Sequence, residues 1–233
     1  MEPSTNITPE SGATRPIPWL PYALPMLLFL VATQSESLVP KSVYPVAYAV
    51  KVITVTAALA VCARTWRHEL RFDGKAVGFG ILAGLIGLPL WIGVSEITPS
   101  LSFLGTRAAY NPLAEIPDAT LRAVFLATRF FGLAAMVPLM EEVFWRSFLL
   151  RFVTDQDKWY TLPVGTFSLV ALGIVSALFG IAHPEYLAAI VFALLMAGLL
   201  RVTRSLLACV VAHGVTNLAL GIYVLATGNW KYW

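Results

Sequence analysis

The chain has 233 residues, of which 58% are hydrophobic and 12% charged, with a mean hydropathy of +0.75. A soluble domain is about 25% charged and can bury only a limited share of its surface at this size, which excludes a cytosolic enzyme, a secreted domain and a disordered chain. What remains is an all-α protein, a polytopic bundle of transmembrane helices. The net charge of +3 is small and scattered, so nucleic acid is not an expected partner. Cys62 and Cys209 lie far apart in apolar stretches and read as buried, inert thiols.

Taken in chain order, residues 1–18 form a polar, Pro-rich tail. The first apolar stretch, 19–33, is interrupted by Pro21 and Pro25. It lacks a strongly basic flank and a small-x-small cleavage site, so it reads as a retained helix and not a signal peptide. The second stretch, 43–63, carries Lys51. A basic run follows, with Arg64, Arg67, Arg71 and Lys75, and His68 within it reads as a solvated interfacial residue. The third stretch, 76–97, is crowded with glycines around Gly74, Gly78, Gly80, Gly84 and Gly87, a pattern for close helix packing. A loop over 98–120 with Pro99, Asn111-Pro112 and Pro117 reads as an interfacial connection. Four more stretches follow at 121–153, 162–182, 187–200 and 205–227. This gives seven spans, or eight if the 98–120 loop contributes one. The organisation is a tail (1–18), N-terminal helices with the loop (19–120), a second group of helices (121–227) and an aromatic tail (228–233).

Seven spans place Arg15, the four basic residues of 64–75, Arg151, Lys158, Arg201 and Arg204 on one side. Lys41, Arg107, Arg122, Arg129 and Lys231 fall on the other. The positive-inside rule then predicts a cytoplasmic N-terminus.

Charges inside a bilayer cost at least about 2.5–3.5 kcal/mol each, so they mark candidate sites. Between Arg129 and Arg151 the only charges are Glu141, Glu142 and Arg146. Glu142 and Arg146 are four apart and share a helix face, which predicts an internal ion pair. Glu141 points about 100° away, onto the face of Trp145. Two of the three histidines also lie in apolar stretches: His183, followed by Pro184, and His213, four residues before Asn217. The 187–200 stretch is too short to cross a bilayer alone, so the turn at His183-Pro184-Glu185 is expected below the membrane surface. The sequence thus predicts a polar cavity lined by Glu141, His183, His213 and Asn217.

A Glu and a His facing one water can activate it, and His and Asn donors can hold an oxyanion; together they suit hydrolysis of an amide or ester. No G-x-S-x-G elbow is present, and His68-Glu69-Leu70-Arg71-Phe72 is not H-E-x-x-H. Two histidines and one glutamate could also hold zinc. The same residues could instead lock helices together or line an ion path.

Glu141-Glu142-x-x-x-Arg146, Phe179-x-x-x-His183 and His213-x-x-x-Asn217, in this order in apolar helices, resemble the three motifs of the CPBP family. That family holds the type II CAAX prenyl endopeptidases and related bacteriocin-processing or immunity proteins. The resemblance implies a glutamic-type intramembrane endopeptidase acting on a membrane-anchored protein or peptide among the lipids, with no cofactor and zinc as the alternative. It implies that Glu141 and His183 activate the water, that His213 and Asn217 form the oxyanion site, and that Glu142 and Arg146 shape the cavity. The motif context is similar to a bacterial CAAX-protease-related subgroup of the cytoplasmic (inner) membrane associated with exosortase-type sorting. Relatives with immunity or scaffolding roles imply a second reading, a non-catalytic binding protein that retains the cavity.

Overall fold

A computed structural model of the chain describes residues 19–99, 101–104 and 109–233. The expected tail, with Arg15, and the expected Arg107 lie outside the described residues. Seven main helices run through the described residues: α1 (Leu20–Glu36), α2 (Tyr44–Trp66), α3 (Gly74–Ile97), α4 (Ala119–Thr154), α5 (Leu169–Ile181), α6 (Tyr186–Thr203) and α7 (Leu206–Thr227). Five of them, α2, α3, α4, α6 and α7, are long and apolar enough to cross a membrane. The 98–120 loop contributes only the single-turn helix Pro112–Glu115 and a 3-10 turn at Ser102–Leu104.

Local chemistry sets the boundaries. Asp73 caps α3 by accepting from Lys75 and Ala76 N–H, Asp118 caps α4 through Leu121, Ser168 caps α5 through Ala171, and Ser205 caps α7 through Ala208. Each satisfies a main-chain donor that the first helical turn leaves orphaned. At the other ends, α6 stops where Arg204 turns left-handed (φ 54°) and α7 where Gly228 does (φ 68°). Arg204 has no glycine's freedom, and its guanidinium bonds Gly165 O at 2.9 Å across the loop.

α3 and α7 form the tightest pair, with α6 beside them and α5 against α6, while the α1–α2 hairpin packs on α4. The third-span glycines divide in two. A Cβ on Gly80 would lie 2.6 Å from Ala208 O and one on Gly84 2.6 Å from Ala212 O, whereas Gly74 and Gly78 face open space. Thr216 on α7 closes the seam by donating to Gly84 O at 2.9 Å. Outside the bundle, Val61, Phe79, Leu85, Val170 and Ile181 are exposed, the belt expected against lipid.

The short element is not the one that the sequence suggests. α6 has 18 residues, about 27 Å, whereas α5 has only 13, about 20 Å, because 162–168 is not helical. Ser168 N–H bonds Thr154 Oγ1 at 3.2 Å, so α5 starts level with the end of α4. Its far end, at His183, then stops about 10 Å short of a 30 Å hydrocarbon layer. The element too short to cross is therefore α5 and not, as expected, α6.

Glu36, Glu69 and Glu96 each have a cationic partner. Lys51 Nζ meets Glu36 at 2.6 Å, a partner three positions beyond the first expected stretch. Glu69 meets Arg151 at 2.8 Å and also receives Ser147 and Tyr22 hydroxyls, which ties α1, the α2–α3 connection and α4 at one end. His68 beside it is exposed, as expected. At the opposite end Glu96 takes Lys231 (2.7 Å) and the Tyr232 hydroxyl (2.8 Å); burial, and then that bond, push the Tyr232 phenol above its ordinary range. Both cysteines are buried and free.

The glycine seam yields a contrast. Gly78→Ala is expected to be neutral or to stabilise by up to about 1 kcal/mol, since alanine favours helix. Gly84→Ala places a methyl against backbone and is expected to destabilise by about 1–3 kcal/mol. Thermal melts of the two variants in one detergent check this.

Candidate active site

The site is built on α4, which departs from α geometry twice. Gly132–Met136 and Val143–Leu149 are π-helical, on either side of the α segment Val137–Glu142. Val137 N–H bonds Gly132 O and Leu150 N–H bonds Trp145 O, each a step of five. Such turns insert one residue and re-aim the side chains that follow, and they are frequent at functional sites.

Glu142 lies between these turns and is fully buried. Its Oε2 is 3.2 Å from Arg146 Nε, the ion pair expected from the spacing. Its Oε1 is 2.8 Å from His213 Nδ1 on α7, a contact that spacing could not reveal across 71 residues. Arg146 also lies 4.7 Å from the Phe179 ring, while its Nη1 and Nη2 have no hydrogen-bond partner among the described residues. The carboxylate and the ring face are what stabilise this buried cation. An ionised Glu142 can only accept, so His213 Nδ1 carries a proton. His213 Nε2 then offers a lone pair in the neutral ring and a second N–H in the imidazolium.

Glu141 points elsewhere, as the helix rotation requires. It is 5% exposed, and its Oε2 has no hydrogen-bond partner among the described residues. One turn on, Trp145 packs edge-on against Phe179 (5.5 Å), and Phe179 stacks on His183 (4.5 Å). His183 Nδ1 lies 2.7 Å from Phe179 O, a carbonyl near the end of α5 that has lost its helical donor. A carbonyl only accepts, so Nδ1 is the protonated nitrogen and Nε2 is left to accept in the neutral ring.

Two aromatic residues absent from the sequence-level reading connect the histidines. Trp91 on α3 lies 5.8 Å from His183 and 6.0 Å from Phe192 on α6, and Phe192 lies 5.2 Å from His213. The contacts close a circuit through five helices, from Glu142 to His213, Phe192, Trp91, His183, Phe179 and back through Arg146. Nothing in the one-dimensional pattern distinguishes Trp91 or Phe192 from ordinary core. Asn217 is not turned to the same partner as His213: its Nδ2 donates to Leu133 O at 2.9 Å. One of its two N–H groups is thereby committed to backbone. Among the described residues no three His, Cys, Asp or Glu side chains group as a metal-binding set.

The two adjacent glutamates should therefore behave differently. Glu142→Ala leaves Arg146 buried without its carboxylate and is expected to cost about 3–5 kcal/mol. Glu141→Gln removes no protein partner and is expected to melt like the parent. Thermal denaturation of both, with yield after detergent extraction, checks the contrast.

No curated protein matches the chain, and no solved structure matches it. Residues 123–219 match a protein family described as type II CAAX prenyl endopeptidase Rce1-like. That interval contains Glu141, Glu142, Arg146, His183, His213 and Asn217, while Trp91 lies before it. The part of the chain that is similar to this family is thus the part that supplies both carboxylates, His183 and His213.

Proposed function

We propose that the protein is an intramembrane endopeptidase that hydrolyses a peptide bond of a membrane-anchored protein or peptide with a water activated by Glu141 and His183. The observation that carries this reading is the asymmetry of the two carboxylates. Glu142 is held by an ion pair with Arg146 and a hydrogen bond from His213, whereas the buried Glu141 has neither kind of partner for its Oε2 among the described residues. A carboxylate in that position accepts a proton from water, and His183, whose Nδ1 bond to Phe179 O makes Nε2 the accepting nitrogen of the neutral ring, orients or shares that proton. The water oxygen attacks the scissile carbonyl, and the charge that develops on the carbonyl oxygen meets the Nε2–H of a protonated His213 and the second N–H of Asn217. Glu141 then returns its proton to the leaving amine.

We assign the activation to side chains without a metal. Addition of a chelator to purified protein is expected to leave cleavage unchanged. Loss of cleavage to the chelator and its return with zinc would move the assignment to a metal-bound water.

The basic residues at 64–75, Arg151, Lys158, Arg201 and Arg204 gather at one end, where Glu69 meets Arg151 and Arg204 meets Gly165. We assign that end to the cytoplasm and the protein to a bacterial inner membrane, with an exosortase-type sorting system as a candidate partner. A cysteine placed at Gly74 is expected to resist impermeant thiol labelling from outside intact cells.

The central test is cleavage of membrane-anchored peptides by purified variants. Glu141→Gln and His183→Ala are expected to fall to near background. His213→Ala and Asn217→Ala are expected to lose about 10²–10³ in turnover. Substantial cleavage by Glu141→Gln would show that Glu141 is not the base, whereas absence of cleavage by the parent would favour a scaffold that keeps the polar cavity.

A further inference from the structure

We infer that Asn217 and Pro138 together form a latch that holds the first π-helical turn of α4 and so sets the rotation of Glu141 and Glu142. The inference rests on the proposed function only for what the carboxylates do. Val137 N–H is committed to Gly132 O, a step of five. The next donor in the hydrogen-bond ladder would come from position 138, which is a proline and has no N–H. Leu133 O is thereby left without a main-chain donor from either residue, inside a segment that has no bulk water to replace it. Asn217 Nδ2, on a different helix, supplies the missing bond at 2.9 Å.

The surrounding seam is shaped for that one contact. A Cβ on Gly214 would lie 2.6 Å from Ala134 O, and one on Gly221 would lie 2.9 Å from the Phe130 ring. Gly214, Asn217 and Gly221 occupy one face of α7, so two glycines bring the helices together and the asparagine between them reaches the backbone. The consequence lies one to two turns further on. If α4 returned to a step of four, every side chain after Pro138 would rotate by the share of one residue, about 100°. The position of Glu142 relative to His213 and that of Glu141 relative to His183 would both be lost. Asn217 is in this respect a positioning residue, acting on the carboxylates through Leu133 O.

Two measurements that need no cleavage test the latch, so a protein without peptidase activity would still decide it. The first is a thermal double-mutant cycle on the full chain in detergent, with Asn217→Ala, Pro138→Ala and the pair. Asn217→Ala is expected to lower the melting temperature by about 2–10 °C, the loss of one buried acceptor's partner. In the Pro138→Ala background, where position 138 regains a donor, the same substitution is expected to have little effect. The second is the ¹⁵N spectrum of histidine-labelled protein, which has only three histidines. The Nδ1 resonance of His213 bonded to Glu142 is expected in the parent and in Pro138→Ala, and to shift in Asn217→Ala. An equal loss in both backgrounds, including failure of both Asn217 variants to fold, overturns the latch. An unshifted His213 signal in a folded Asn217→Ala overturns its positioning role.

Discussion

A buried carboxylate in a bilayer must be neutralised, hydrogen-bonded, or protonated, and the rest of this bundle follows from how Glu142 meets that requirement. Its two oxygens face an arginine one turn along the same helix and a histidine 71 residues on, in α7. Because removing either partner strands a charge in low dielectric, α4 and α7 have one productive rotation relative to each other. The Arg146 guanidinium, lying over the Phe179 ring, extends the constraint to α5. The pair is thus less a source of net stability than a means of specifying which faces meet.

Glu141 inherits its character from that arrangement. Neighbouring side chains on a helix diverge by about 100°, so once Glu142 faces His213, Glu141 cannot. It stands one turn before Trp145, which packs on Phe179, and Phe179 in turn on His183. The same helix therefore presents one carboxylate held by an arginine and a histidine and one whose buried oxygen has no such partner among the described residues, a division that suits structure on one side and proton transfer on the other.

Close approach of backbones makes the geometry possible. Gly80 and Gly84 let α3 lie against Ala208 and Ala212 of α7, and Gly214 lets α7 lie against Ala134 of α4. Without a hydrophobic drive between helices in lipid, such contacts and the interhelical bonds of Thr216 and Asn217 hold the bundle together. α3, outside the matched family segment, contributes Trp91 to the circuit between the histidines, so the N-terminal helices complete the site and do more than enclose it.

Much of the fold was legible in the sequence because bilayer thickness converts directly into lengths of apolar chain. The spans, the glycine-rich third helix and the Glu142–Arg146 pair depend on local composition and spacing. The intramembrane positions of Glu141, His183, His213 and Asn217 were legible for the same reason: polar groups stand out against an apolar background. The tertiary structure alone decided which of these meet. That Glu142 holds His213, that Asn217 turns to Leu133, that Trp91 and Phe192 bridge the histidines and that α5 is the short helix are all non-local facts. They depend on the rotation of each helix about its axis, and in α4 two π turns reset that rotation. Periodicity cannot report such a reset, because one inserted residue leaves the composition unchanged while moving every later side chain to a new face.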